Sequence, residues 1–188
     1  LIGNSVRLVA MVAVLAVVLA VLLVYGRRLY PKGLNKVGTI FASLGYAIPG
    51  SVIAVGVLLP FAWTDNAVDA FMREHFGIST GLMLTGSLAA LVAAYLVRFL
   101  AIAVQTVDAG FTKISPAMDD AARVLGAHEW RRLWQVHRPL LRRSVLAAGL
   151  LVFVDAIKEL PATMILQPFN FSTLAVQAHK LASDERLA

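Results

Sequence analysis

Four histidines, eleven acidic side chains and no cysteine are the groups with which this 188-residue chain could do chemistry. His75, His128, His137 and His179 lie in three separate connections and form no His-x-x-x-His pair, so they are not expected to hold a metal. Without cysteine there is no disulfide scaffold, no thiolate zinc site and no thiol nucleophile. Neither Gly-x-x-x-x-Gly-Lys-Ser/Thr nor a Gly-x-Gly-x-x-Gly after a strand occurs, so any work the chain does is driven from elsewhere. No catalytic residue and no cofactor is expected. The remaining cluster is Asp155, Lys158 and Glu159, which interrupts an apolar run that begins at Ser144 and resumes over 160–166. Asp155 and Lys158 are three apart and can pair on one helix face, whereas Asp155 and Glu159 are like-charged i, i+4 neighbours. With Ser144 near one membrane face, Asp155 stands ~16 Å along the helix, close to the bilayer midplane. A charge at that depth costs on the order of 2.5–3.5 kcal/mol on insertion scales. Two readings account for it: a buried ion pair between helices, or the polar lining of a path with Pro161 as a hinge above it.

The elements that must position these residues follow from composition. Hydrophobic residues make up 59% of the chain and charged ones 15%, and the mean hydropathy is +0.77. An ordinary soluble domain carries roughly 25% charged residues. There are too few polar side chains here to cover a soluble domain, and the apolar content excludes disorder. The expected class is an all-α integral membrane protein, because in hydrocarbon a helix satisfies its own backbone. Four charge-free runs, 8–25, 37–64, 76–97 and 144–154 with its continuation 160–166, predict about four spans. Within the second, Pro49-Gly50 predicts a break or kink at mid-membrane and a candidate lining of a pathway.

The net charge of +6 belongs to topology rather than to nucleic acid, for no recognition module accompanies it. Arg27, Arg28, Lys32 and Lys36 lie in the first connection and Arg73 alone in the second. Lys113, Arg123, Arg131, Arg132, Arg138, Arg142 and Arg143 lie in the third, and Lys180 and Arg186 follow the fourth run. The alternation predicts cytoplasmic first and third connections, with the N-terminus, 65–79 and 167–188 outside. Arg98 then falls near the inner end of the third span, where it can snorkel to the interface. The first run ends in Gly26-Arg27-Arg28, a stop rather than a signal-peptide cut. The abrupt opening at Leu1 reads as a piece of a longer protein, so 1–188 is taken as a single, incomplete transmembrane domain.

The third connection, 113–139, is the richest in local signals. Ser115-Pro116 predicts a helix start, with Asp119 and Asp120 in its first turns. Ala121 and Ala122 keep one face small, and Gly126 predicts a stop. Residues 129–136 predict a second short helix with Trp130, Leu133 and Trp134 on an apolar side, and Pro139 opens the next span. Two tryptophans at this position suit either an interfacial aromatic belt or a helix seated in a partner's groove.

This loop resembles the signature of integral membrane subunits of bacterial ABC importers: Glu-Ala-Ala, three residues, Gly, nine residues, Ile, one residue, Leu-Pro. Here it reads Asp120-Ala121-Ala122, three residues, Gly126, nine residues, Val136, His137, Arg138-Pro139. The spacing matches throughout; Asp replaces Glu, Val replaces Ile and Arg138 replaces Leu. Asn4-Ser5 resembles the family's opening before its first span, and 44–50 its Pro-Gly-containing core span. Lys158-Glu159-Leu160-Pro161-Ala162-Thr163 looks most like the ferric-iron branch.

The resemblance implies a MetI-like transmembrane domain whose loop is a coupling helix seated in a separate ATP-binding cassette subunit. Asp120, Ala121, Ala122, Gly126, Glu129 and Trp130 are then the coupling residues, with Ala121 and Gly126 acting by absence of bulk. Pro49, Gly50, Asp155, Lys158, Glu159 and Pro161 are the candidate path or gate. The implied partners are that ATPase subunit, a periplasmic substrate-binding protein, a second permease half (fused or as a homodimer) and the lipid bilayer of the bacterial inner membrane. Ferric iron is the implied substrate, with thiamine, polyamines, phosphonates and sulfate as alternatives within the family. A secondary carrier would show internal repeats or a proton relay, and a membrane enzyme or anchor a catalytic cluster at one depth; the sequence displays neither pattern.

Overall fold

The computed structural model describes residues 1–30 and 34–184, the backbone alone at 34–36; Lys32, the Lys36 side chain and Arg186 lie outside the described residues. The described residues are helical and irregular, with no strand among them. In chain order the helices are α1 (Ile2–Leu29), α2 (Leu34–Leu44), α3 (Gly50–Phe76), α4 (Leu88–Phe111), α5 (Pro116–Val124), α6 (Glu129–Arg132), α7 (Arg138–Ile157), α8 (Pro161–Leu166) and α9 (Leu174–Ser183).

Three of them, α1, α3 and α4, are long and apolar enough to cross a membrane. The break expected at Pro49-Gly50 is present. The run 37–64 is two helices: α2 ends at Leu44, a 3₁₀ turn occupies Gly45–Ala47, and α3 starts after Pro49. Proline has no N–H and restricts the residue before it, so the backbone stops there rather than bending. The fourth run is also divided, because α7 ends at Ile157 and α8 begins at Pro161.

Helix ends follow capping chemistry rather than the edges of the charge-free runs. α3 continues through Asp65, Asp69 and Arg73 and closes on Gly77, whose φ of 67° suits a residue without Cβ. α4 starts at Ser87, whose hydroxyl accepts from Ala89 N, and runs past Arg98 and Asp108 to Phe111. Arg98 therefore sits near the middle of a span, not at its inner end. Asn4-Ser5 lies in the first turn of α1 instead of before it, and Ser5 Oγ accepts from Leu174 N at 2.8 Å.

The core lies where α1, α4 and α7 pack on one another. Val12, Ala16 and Ala20 of α1 and Ala148, Val152 and Ala156 of α7 recur every four residues and are buried. Ala90, Leu91, Ala94, Tyr95 and Phe99 of α4 meet them. Small side chains let the helix backbones approach closely, which is how helices associate in lipid. α2, α3 and α8 pack on α4. The outward faces stay apolar, as at Val14, Val18, Leu59, Trp63 and Leu146.

Candidate functional site

The loop at one end of the core is held by a knot of charges and rings. Ser115 caps α5, accepting from Ala117 N, with Pro116 at the first helical position. That places Asp119 in the first turn, facing inward. Its Oδ2 accepts from Arg28 Nε at 2.7 Å, and its Oδ1 lies 2.7 Å from Nε2 of His137. The same guanidinium donates to the carbonyls of Phe111 at 2.8 Å and Ile114 at 2.7 Å. Arg28 thus ties the last turn of α1, the end of α4 and the start of α5. His137 is fully buried between Tyr25 and Phe111, with ring centroids 5.3 Å and 5.4 Å away. Tyr25 donates to the Glu129 carbonyl, Tyr30 to the Glu129 carboxylate at 2.8 Å, and Arg27 pairs with Asp108.

Burial by itself would raise the Asp119 carboxyl, but the hydrogen bond from Arg28 and the charges of His137 and Arg28 outweigh it and hold its pKa below the usual value. For His137 burial dominates and lowers the pKa, with Asp119 pulling the other way. Loss of the tie would leave Asp119 half-buried without its cation, the costly case for a buried pair.

Beyond the knot α5 projects outward. Gly126 ends it with φ of 77°, and a Cβ there would meet nothing, so within this chain glycine is required for conformation rather than for room. Asp120, Ala121, Glu129 and Trp130 are exposed, whereas Ala122 is buried and seats α5 on the bundle. The most exposed apolar side chains of the tip are Val124 at 88% and Leu125 at 84%. The sequence reading missed them, since two adjacent apolar residues at the end of a short helix carry no periodic signal.

Pro139 does not open a new helix. α6 runs through a π turn, Leu133–His137, directly into α7. The widened turn ahead of the proline takes up the displacement its ring imposes. Trp130 and Trp134 meet edge-on at 6.0 Å, and Arg138 stacks over Trp134 at 4.7 Å. With Val17, Val21 and Leu22 of α1 they line an apolar groove of about 460 Å³.

A second cluster gathers where the two broken segments meet α4. Arg98 Nε lies 3.0 Å from Glu159 Oε2, and its Nη1 donates to the Ile48 carbonyl at 3.0 Å. Glu159 Oε1 accepts from Ala162 N at 3.2 Å, capping α8. Tyr95 and Thr163 share a 2.6 Å hydrogen bond, and Thr163 donates to the Glu159 carbonyl at 2.7 Å. Asp155 pairs with Lys158 at 2.9 Å, as the spacing predicted, and accepts from Tyr46 at 3.4 Å. Glu159 does not share a helix face with Asp155, because α7 has already ended at Ile157. Its partner is Arg98, to which the sequence reading gave no role; no local spacing joins residues 61 positions apart.

Two glycines make this approach possible. A Cβ on Gly45 would lie 1.8 Å from the Val97 carbonyl, and one on Gly50 would lie 2.3 Å from Glu159 Oε1. Tyr46, Arg98, Asp155, Lys158, Glu159 and Pro161 line a cavity of about 270 Å³. Of the predicted path residues, then, Gly50, Asp155, Lys158, Glu159 and Pro161 come together, and Pro49 sets the break beside them. No group of three metal-ligating side chains occurs among the described residues.

Comparison with known proteins gives the family of the chain. A Salmonella typhimurium permease named for 2-aminoethylphosphonate transport, PhnV, is 28% identical over 142 residues, 76% of this chain and 48% of its own length. The Fe(3+)-transport system permease protein FbpB 2 of Haemophilus influenzae is 25% identical over 186 residues, 99% of this chain and 34% of its own. A Chlorokybus atmophyticus permease named for sulfate transport, cysT, is 29% identical over 136 residues, 71% of this chain and 46% of its own. The chain spans about half or less of the length of these relatives. A family model matches residues 13–179, and the chain is a member of that family, the binding-protein-dependent transport system inner membrane components.

Proposed function

We propose that this chain is part of the permease subunit of an ATP-binding-cassette importer in the bacterial inner membrane. It walls the path of a substrate handed over by a periplasmic binding protein, beside a second permease half. ATP hydrolysis resides in a separate subunit that grips 113–139 from the cytoplasm. The observation carrying this reading is the loop's construction: Val124 and Leu125 are bare to solvent on a tip whose base is clamped to α1 and the end of α4. An apolar tip on a rigid base suits a groove in a partner, and a clamped base transmits what the tip feels. Asp120, Ala121, Gly126, Glu129 and Trp130 flank that contact, and Ala122 seats it. Pro49, Gly50, Asp155, Lys158, Glu159 and Pro161 belong to the path.

For the substrate, ferric iron is supported by the 158–163 resemblance and by the relative that aligns over 99% of this chain. Phosphonate and sulfate are the alternatives that the other relatives' names supply. Leu125→Asp in the full-length transporter tests the coupling. Membrane insertion stays normal, and ATP hydrolysis stimulated by the binding protein falls at least tenfold; normal stimulation overturns the assignment. Uptake of labelled ferric iron, 2-aminoethylphosphonate and sulfate, with and without the full-length gene, decides the substrate.

A further inference from the structure

Resting on the permease reading above, we propose that Arg98 is a positioning residue for substrate passage. It fastens the two helix breaks to each other, and the path opens at this level when that fastening parts. α4 runs unbroken through this level, while the segments facing it stop at 45–49 and 158–160. Each stop leaves backbone groups without helical partners. One guanidinium serves both: its Nη1 donates to the Ile48 carbonyl of the first break, and its charge pairs at 3.0 Å with the carboxylate of Glu159, which accepts from the first turn of the helix after the second. A planar fork can hold two acceptors at once in a way an ammonium cannot.

The start of α3 is seated on this pair. A Cβ on Gly50 would stand 2.3 Å from Glu159 Oε1 and 3.0 Å from Arg98 Nη1. The pair also forms part of the cavity wall: the Arg98 side chain is 22% exposed and that of Glu159 5%, with Tyr46, Asp155 and Lys158 around the same space. Behind it the second break has a separate tie to α4, through Tyr95, Thr163 and the Glu159 carbonyl. The first break, apart from Arg98, meets α4 by packing at Gly45 and Val97, so the two sides are held by different means, hydrogen bonds on one and contact on the other. When Arg98 lets go, α8 stays on α4 through Tyr95, and the segment that swings is the first break with the start of α3.

The test uses the full-length subunit in its transporter complex, reconstituted in lipid. Ile48→Cys is introduced as a reporter, any cysteine in the rest of the complex being replaced first, and labelled with a water-soluble maleimide; the 188 residues here hold none. Two variants unfasten the pair by different means. Arg98→Gln/Glu159→Gln removes both charges together, so no lone buried charge remains. Gly50→Ala keeps both charges and displaces the carboxylate. Both should raise the labelling rate at least fivefold and release ATP hydrolysis from its need for the binding protein. Tyr95→Phe, which loosens α8 alone, should do neither. Unchanged labelling in both variants overturns the proposal. So does failure of both to accumulate in the membrane, which would make the pair a folding element. Failure of the unaltered protein to import any substrate would instead overturn the permease reading, which the labelling does not probe.

Discussion

Asp119 and Glu159 each sit between an arginine and a second element, but Asp119 is enclosed by rings and Glu159 by chain breaks. Around Asp119, Arg28 spends its donors on a carboxylate and two helix-terminal carbonyls, while Tyr25, Phe111 and His137 fill the space between. Around Glu159 the neighbours are two interrupted segments and a cavity of about 270 Å³. Under the proposal above, the same ion-pair chemistry gives a rigid joint in the first setting and a yielding one in the second. What decides is how many independent contacts survive when the pair is lost. Under the gating proposed above, the loop base moves with α1 and α4 as one body, and give is concentrated at the breaks.

Substitutions can break this contrast. Arg28→Ala should have the largest effect, about 3–5 kcal/mol, since it strands a half-buried carboxylate and two carbonyls. Thermal unfolding of the detergent-solubilised protein measures it, and a loss under about 1 kcal/mol would make the Asp119 joint no stiffer than the other. Gly45→Ala comes next, at about 1–3 kcal/mol. The added methyl meets backbone at Val97, which no rotamer change relieves. A neutral result would mean that the first break is not seated on α4. Tyr95→Phe should cost about 1 kcal/mol, because Thr163 keeps its bond to the Glu159 carbonyl.

The smallest effect is a slope with pH. His137 and Asp119 both have pKa values lowered by the fold, so the unfolded chain takes up each proton first on acidification. Stability should fall as pH drops through 6.5, the ordinary histidine value, and again through the carboxylate range. His137→Asn should remove the upper step and shrink the lower one, because His137 helps hold the Asp119 carboxyl down. An upper step that survives this change would place the titrating group elsewhere.

Much of the loop was legible because its signals are local. Ser115-Pro116 starts α5, Gly126 ends it, and Asp155 meets Lys158 at helical spacing. The span boundaries were less legible. A charge-free run reports depth in hydrocarbon, whereas a helix ends where a cap or a proline ends it. Hence α3 absorbs Asp65 and Arg73, and α4 absorbs Arg98. The two ion-pair joints were hidden for a related reason. Arg28 served as a topology signal, His137 as a stray histidine, and Arg98 as a snorkelling cation. Their partners are supplied by packing between helices far apart in sequence, a distance that spacing rules do not reach.

The π turn at 133–137 carries one consequence for the loop's aim. A residue advances an α-helix by about 100°, so a surplus residue in one turn sets the two halves of the rod at an offset, like the throws of a crankshaft. Here that offset points Trp130 and Trp134 into the same groove as Leu141 and Val145. Deleting one residue from 133–137 would straighten the rod and turn the tryptophans out of the groove, leaving the spanning half where it is.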